Sequence, residues 1–206
     1  MAAALRAVPA QEADPEGAVR GSGPGPVPVP VPVSVPLSVP EEGATAAELL
    51  RRTLREHAAG VAVITVPGPA GFTATSFTSV SLEPALVTFF VGLTASTAAA
   101  VARADHFAVH LLGARNADLA ARFAARAVPR FQGVDWSPSP EGVPLLQGVG
   151  RLTARTVLRQ RVGDHLQVVG ALQNAEPLPG HEPLIHHHGG YATATPLPGT
   201  GPGAGR

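Results

Sequence analysis

Residues 71–86 read GFTATSFTSVSLEPAL, a run of Thr and Ser hydroxyls in near-alternation closed by Glu83-Pro84. Side chains alternate across a strand, so Thr73, Thr75, Phe77, Ser79 and Ser81 share one face, and Ala74, Ser76, Thr78 and Val80 share the other. Neither face is purely apolar, which does not suit a strand buried on both sides. Two readings stay open. Thr is a good strand former and the stretch can simply face water. Alternatively, it presents hydroxyls and backbone amides to a flat polar ligand.

The flanking segments place this stretch in a sheet. Residues 61–66 form a continuous apolar, β-branched run, which predicts a buried strand. A turn over 67–71 leads into a strand over 72–81, and 85–91 comes next as another apolar strand, together an antiparallel meander. Upstream, Thr45 and Glu48 have the spacing of a capping box. Leu49, Leu50, Leu54 and Ala58 then fall on one helical face, predicting a short helix packed on the neighbouring strands and stopped by Gly60.

Downstream, Ser96 or Thr97 is placed to cap a short helix over 98–104. A strand over 106–112 comes next, then a helix over 117–127 capped by Asn116, with Leu119, Ala120 and Phe123 inward. Residues 128–148 read as a loop anchored by Phe131 and Trp136. Strands over 151–161 and 166–174 meet at a Gly163-Asp164 turn, and 184–187 is a last short strand. The fold class is mainly β with short helices, a barrel carrying helical excursions.

The ends differ in kind. Residues 1–43 contain PVPVPVPVSVPLSVP at 26–40, where alternate prolines remove backbone donors and fix φ. An extended or disordered arm is expected there, with the folded domain over 44–195 and a disordered tail over 196–206.

Composition removes several chemistries. The 206 residues hold no Cys and no Lys, and 15 Arg balance 15 Asp and Glu. Thiolate nucleophiles, Schiff-base lysines and a Walker-type phosphate lysine are therefore excluded. Balanced charge gives no case for nucleic acid. No apolar run approaches a membrane span and no signal peptide is evident, so a cytoplasmic protein is expected. There is no G-x-S-x-G elbow, and the acids are too scattered to pair.

What remains is sparse. Ser96 and Thr97 at a helix start can hold an anion, with Arg103, Arg122, Arg126 and Arg130 nearby in sequence. His165 begins a strand and can face a pocket. His186, His187 and His188 are adjacent, so strand alternation splits them, and at most His186 and His188 could share a metal. No metal centre is expected.

Taken in order, these segments resemble the flavin reductase-like family of FMN-binding split barrels. The resemblance is carried by AAGVAVIT at 58–65, GFTATSFTSVSLEPALVTFFV at 71–91, ASTAAAVARADHFAVHLL at 95–112 and LAARFA at 119–124. RFQGVDW at 130–136, PLLQG at 144–148, GDHLQVVG at 163–170 and LIHHHGGY at 184–191 complete it. It implies a six-stranded Greek-key split β-barrel that forms a homodimer. It implies NADH- or NADPH-dependent reduction of FMN or FAD, with reduced flavin passed to a partner monooxygenase. The alternative is a flavin-binding barrel without reductase activity.

The resemblance further implies that Thr73, Thr75, Ser76, Phe77, Ser79 and Ser81 line the flavin, and that Ser96 and Thr97 meet its phosphate beside Arg122 and Phe123. His165 is implied near the nicotinamide, with His187 and Tyr191 at the family's closing motif. One position departs from that motif, since His188 stands where the family commonly carries Arg.

Overall fold

The computed structural model describes residues 44–180, 182–195 and 197. The expected arm over 1–43 lies outside them, as does the expected tail except residue 197. Among the described residues no helix is long and apolar enough to cross a membrane.

Helix α1 (Ala46–Arg55) starts at Thr45, where the capping box is complete in both directions. Its apolar face is not packed on the rest of the chain as expected: Leu49, Leu50 and Leu54 are 42, 60 and 54 % exposed. Gly60 is not its stop either. The helix ends at Glu56, and the Arg55 carbonyl accepts from the His188 N–H at 3.1 Å. A distant hairpin thus takes a carbonyl that the helix leaves unpaired.

Strands β1 (Ala59–Gly60), β2 (Ala62–Val66), β3 (Ala70–Ala74), β4 (Thr78–Leu82) and β5 (Ala85–Gly92) come next. Then follow α2 (Ala98–Arg103), β6 (His106–Leu111) and α3 (Ala117–Ala124). A short hairpin of β7 (Trp136–Pro138) and β8 (Pro144–Leu146) lies inside the stretch read as loop. The long hairpin of β9 (Gly150–Val162) and β10 (His165–Glu176) precedes β11 (Leu184–His187) and β12 (Gly190–Thr193).

The main sheet is antiparallel, in the order β3-β2-β6-β9-β10-β5-β4. It has seven strands rather than six because the hydroxyl-rich stretch, read as one strand, breaks into β3 and β4. These two occupy opposite edges, although only residues 75–77 join them. Laid flat, the two edges would stand about 29 Å apart at ordinary strand spacing. The connection from Ala74 to Thr78 reaches at most about 14 Å. The sheet must therefore curl into a barrel, open between β3 and β4, which is the split-barrel class the sequence predicts.

Two cores arise from β2, whose residues are buried on both faces. Ala62, Ile64 and Val66 join Phe89 and Phe107 inside the barrel, the two rings meeting edge to face at 5.0 Å. Val61 and Val63 point the other way, to Phe123, Leu146 and Leu184. His110 joins the layers from within. Its Nδ1–H donates to the Val63 carbonyl at 3.1 Å, and its Nε2 accepts from the Leu146 N–H at 3.0 Å. That pair of bonds requires the neutral ring.

Burial pushes the His110 imidazole down to about 4. An unfolded chain binds this proton near the ordinary value of about 6.5. The stabilisation is thus complete above that value and fades as pH falls toward 4. Urea unfolding is expected to lose about 3 kcal/mol from this group across the window. A His110→Asn protein should be less stable at neutral pH and lack that part of the pH dependence; an unaltered pH profile would remove His110 as its source.

Candidate functional site

A cleft of about 760 Å³ opens where four segments converge. Strand β3 gives Phe72 and Thr73, and the connection from β5 to α2 gives residues 92–97. The end of α3 and its following turn give Phe123, Arg126, Ala127 and Arg130; the β9–β10 hairpin gives Arg161, Asp164 and His165. The volume is that of a site for a substantial organic ligand.

The floor depends on a glycine. A Cβ on Gly71 would stand 2.9 Å from both the Ile64 carbonyl and the Phe123 ring. Only glycine lets the fully buried Phe123 lie against β3, and that contact seats α3 on the barrel. Thr73 reinforces it, its hydroxyl donating to the Ala120 carbonyl at 2.6 Å. Arg130 is held at the rim, Nη1 donating to the Gly71 carbonyl at 3.0 Å and Nη2 to the Ala125 carbonyl at 2.8 Å.

The wall opposite is the start of α2. Thr97 is 5 % exposed, yet neither its hydroxyl nor that of Ser96 has a protein partner among the described residues. Their N–H groups likewise have no backbone acceptor there, whereas those of Leu93, Ala95 and Ala98 do. Unpaired amides and hydroxyls facing Arg126, Arg130 and Arg161 across one cleft are what a phosphate requires. The residues present fit the phosphate end of a flavin nucleotide.

The Gly163-Asp164 turn presents His165 to the same cleft. Its Nδ1–H donates to the Asp164 carboxylate at 2.7 Å, and this bond holds that carboxyl below the usual carboxylate range. The bond orients the ring and leaves Nε2 beside Gly92, where a Cβ would come within 3.8 Å of it. The ring is 47 % exposed and reachable from the cleft.

Among the sequence-derived candidates, Thr73, Ser96, Thr97, Phe123 and His165 are brought together here with Arg126 and Arg130. The others lie outside the cleft lining. Ser76 both donates to the Phe90 carbonyl and accepts from its N–H, at 3.2 and 3.1 Å. Phe77 packs against the barrel core, Thr75 directly follows β3, and Ser79 and Ser81 are on the β4 edge. Arg122 donates to the Gln132 carbonyl at 2.8 Å and does not reach the cleft. His187 and Tyr191 are on the β11–β12 hairpin. Arg126 and Arg130 stand among several candidate cations in the sequence. Arg161 and Asp164 are not singled out there, although their place on either side of the turn before His165 is a usable signal.

Known proteins resemble this chain in sequence and in fold. A family profile described as "Flavin reductase like domain" matches residues 54–195. An NADH:FMN oxidoreductase of Rhodococcus qingshengii is 39 % identical over 175 residues, covering 77 % of this chain and 91 % of that protein. A protein of Rhodococcus jostii named flavin-dependent monooxygenase, reductase subunit HsaB, is 32 % identical over 167 residues, covering 77 and 86 %. The structure of the Streptomyces globisporus NADH:FAD oxidoreductase SgcE6 with NAD and FAD fragments superposes with a TM-score of 0.68. It is 36 % identical and covers 71 % of this chain and 92 % of that one.

Because Phe123 is fully enclosed, Gly71→Ala is expected to lower stability by about 1–3 kcal/mol, the usual cost of overpacking. Chemical denaturation checks it; an unshifted midpoint would show that Phe123 swings aside freely and does not fix the cleft.

Proposed function

The chain belongs to the flavin reductase-like family, and from that premise we propose that it reduces FMN or FAD with NADH or NADPH and releases reduced flavin to a partner monooxygenase. The observation that carries this reading is the cleft itself, which brings unpaired Ser96 and Thr97 groups together with Arg126, Arg130, Arg161 and His165. When bound, a flavin would supply the redox chemistry of hydride uptake from a reduced nicotinamide.

The chain's own residues bind and orient. Ser96 and Thr97 offer amide and hydroxyl donors to the flavin's phosphate, and Arg126, Arg130 and Arg161 neutralise its charge. Phe72 gives apolar surface along the same cleft, beside Thr73 and above the buried Phe123 ring. His165, fixed by Asp164, presents Nε2 to the nicotinamide end and helps hold the two rings in register. No acid, base or nucleophile is obligatory for such a step, consistent with the scattered acids of the sequence.

The working unit is proposed to be a cytoplasmic homodimer. Val80 and Leu82 on the β4 edge, with Val157, Leu158 and Val162 on β9, are exposed apolar side chains that a second copy would cover. Light scattering on the purified chain checks the mass.

The deciding experiment is an activity grid of FMN and FAD against NADH and NADPH. Coenzyme oxidation is expected with at least one pairing, and none with any would reject the enzyme. A Ser96→Ala, Thr97→Ala double substitution is expected to weaken flavin binding by roughly 1 kcal/mol or more per lost hydroxyl contact; unchanged affinity discards the phosphate assignment. His165→Ala should depress turnover more than flavin affinity, and the opposite ranking would move His165 onto the flavin.

A further inference from the structure

A second cluster of donors lies away from the cleft, where the end of α1 meets the β11–β12 hairpin. Glu56, His187 and His188 each offer one ligand atom, all within 4.8 Å of one another. His188 Nε2 stands 3.1 Å from Glu56 Oε2. The two imidazoles meet edge to face with centroids 4.2 Å apart. Neighbouring residues in a strand point to opposite faces. That alternation fails here because His188 has φ +51° and Gly189 φ +80°, the turn that closes the hairpin between His187 and Gly190.

The left-handed turn folds the His188 ring back beside that of His187. The backbone then fixes the third donor: the His188 N–H donates to the Arg55 carbonyl at 3.1 Å, holding the hairpin against the residue before Glu56. Two imidazoles and a carboxylate thus come from segments more than 130 residues apart in sequence, |i−j| being 133 between Arg55 and His188.

We propose that Glu56, His187 and His188 form a surface site for a divalent transition metal of the zinc class, clamping α1 to the β11–β12 hairpin. Tetrahedral zinc with ligand bonds near 2.1 Å sets donors about 3.4 Å apart. The Glu56–His188 pair, at 3.1 Å, is close to that spacing, and all three ligand atoms lie within 4.8 Å of one another. Three protein ligands leave a fourth position for water. Arg55 donates to the His188 carbonyl at 3.4 Å, and its charge opposes a cation. The site accordingly favours metals that bond well to neutral imidazole over hard cations such as Mg²⁺ and Ca²⁺, which depend on carboxylate charge. It works independently of the cleft, whose residues it does not share.

The full chain, purified without a histidine tag and stripped with chelator, is titrated with Zn²⁺ by calorimetry and followed by thermal unfolding. One Zn²⁺ per chain is expected, with a raised melting temperature and no matching response to Mg²⁺. Glu56→Gln and His188→Asn should each weaken binding by at least about tenfold, since losing even an outer partner of a metal site costs that much. Asn is chosen at 188 because it accepts positive φ, so the hairpin survives. His106→Ala should bind as the unsubstituted chain does. No saturable Zn²⁺ binding, or equal affinity in the Glu56 and His188 variants, overturns the proposal.

Discussion

Ser76 holds the point on which the barrel depends. The chain must leave one edge of a seven-stranded sheet and reappear at the other within three residues, so no backbone ladder can run through residues 75–77. The Ser76 hydroxyl takes the place of the missing rung, binding both the N–H and the carbonyl of Phe90. A side chain without both a donor and an acceptor would leave the Phe90 backbone groups unpaired at this strand position. Two adjacent strands in sequence become the two edges of the sheet, and the gap between them is the split of the barrel.

Everything on the cleft side depends on how the outer layer meets that barrel. Gly71 lets Phe123 lie on β3, Thr73 ties β3 to the Ala120 carbonyl, and Phe131 and Trp136 stack outward from Phe123 at ring separations of 5.1 and 5.5 Å. This aromatic chain carries the 128–148 segment, and the segment carries Arg130 to the rim. Neutral His110 ties β8 to β2 beneath it. The cations of the site are therefore positioned by apolar packing and backbone carbonyls rather than by ion pairing, which keeps their charge available to a ligand.

Local pattern is legible wherever one residue type answers one constraint. The buried run at 61–66, the capping box at Thr45 and the Gly163-Asp164 turn all appear where the sequence puts them. The break at 75–77 is not legible, because Thr and Ser favour a strand equally well whether it continues or stops. Nor is the exposure of α1: an apolar helical face states that something covers it, not that the cover lies in the same chain. The grouping of His187 with His188 escapes the sequence for a sharper reason. Alternation holds only in extended backbone, and the positive φ at His188 is set by Gly189 and the hairpin it closes.

Part of the hydroxyl-rich stretch is committed to the main chain. Thr73, Ser76 and Thr78 each donate to a main-chain carbonyl, at 2.6, 3.2 and 3.3 Å. Hydroxyls committed in this way act as structural pins that shape the opening. The Ser96 and Thr97 hydroxyls, one strand further on, carry no such commitment among the described residues. A polar group in a cleft that stays unpaired inside the protein is the one that gains most when a ligand arrives, because no internal bond must be broken to make the new one. The division is then physical: Thr73 and Ser76 hold the opening of the barrel, and the turn before α2 keeps uncommitted donors at the cleft.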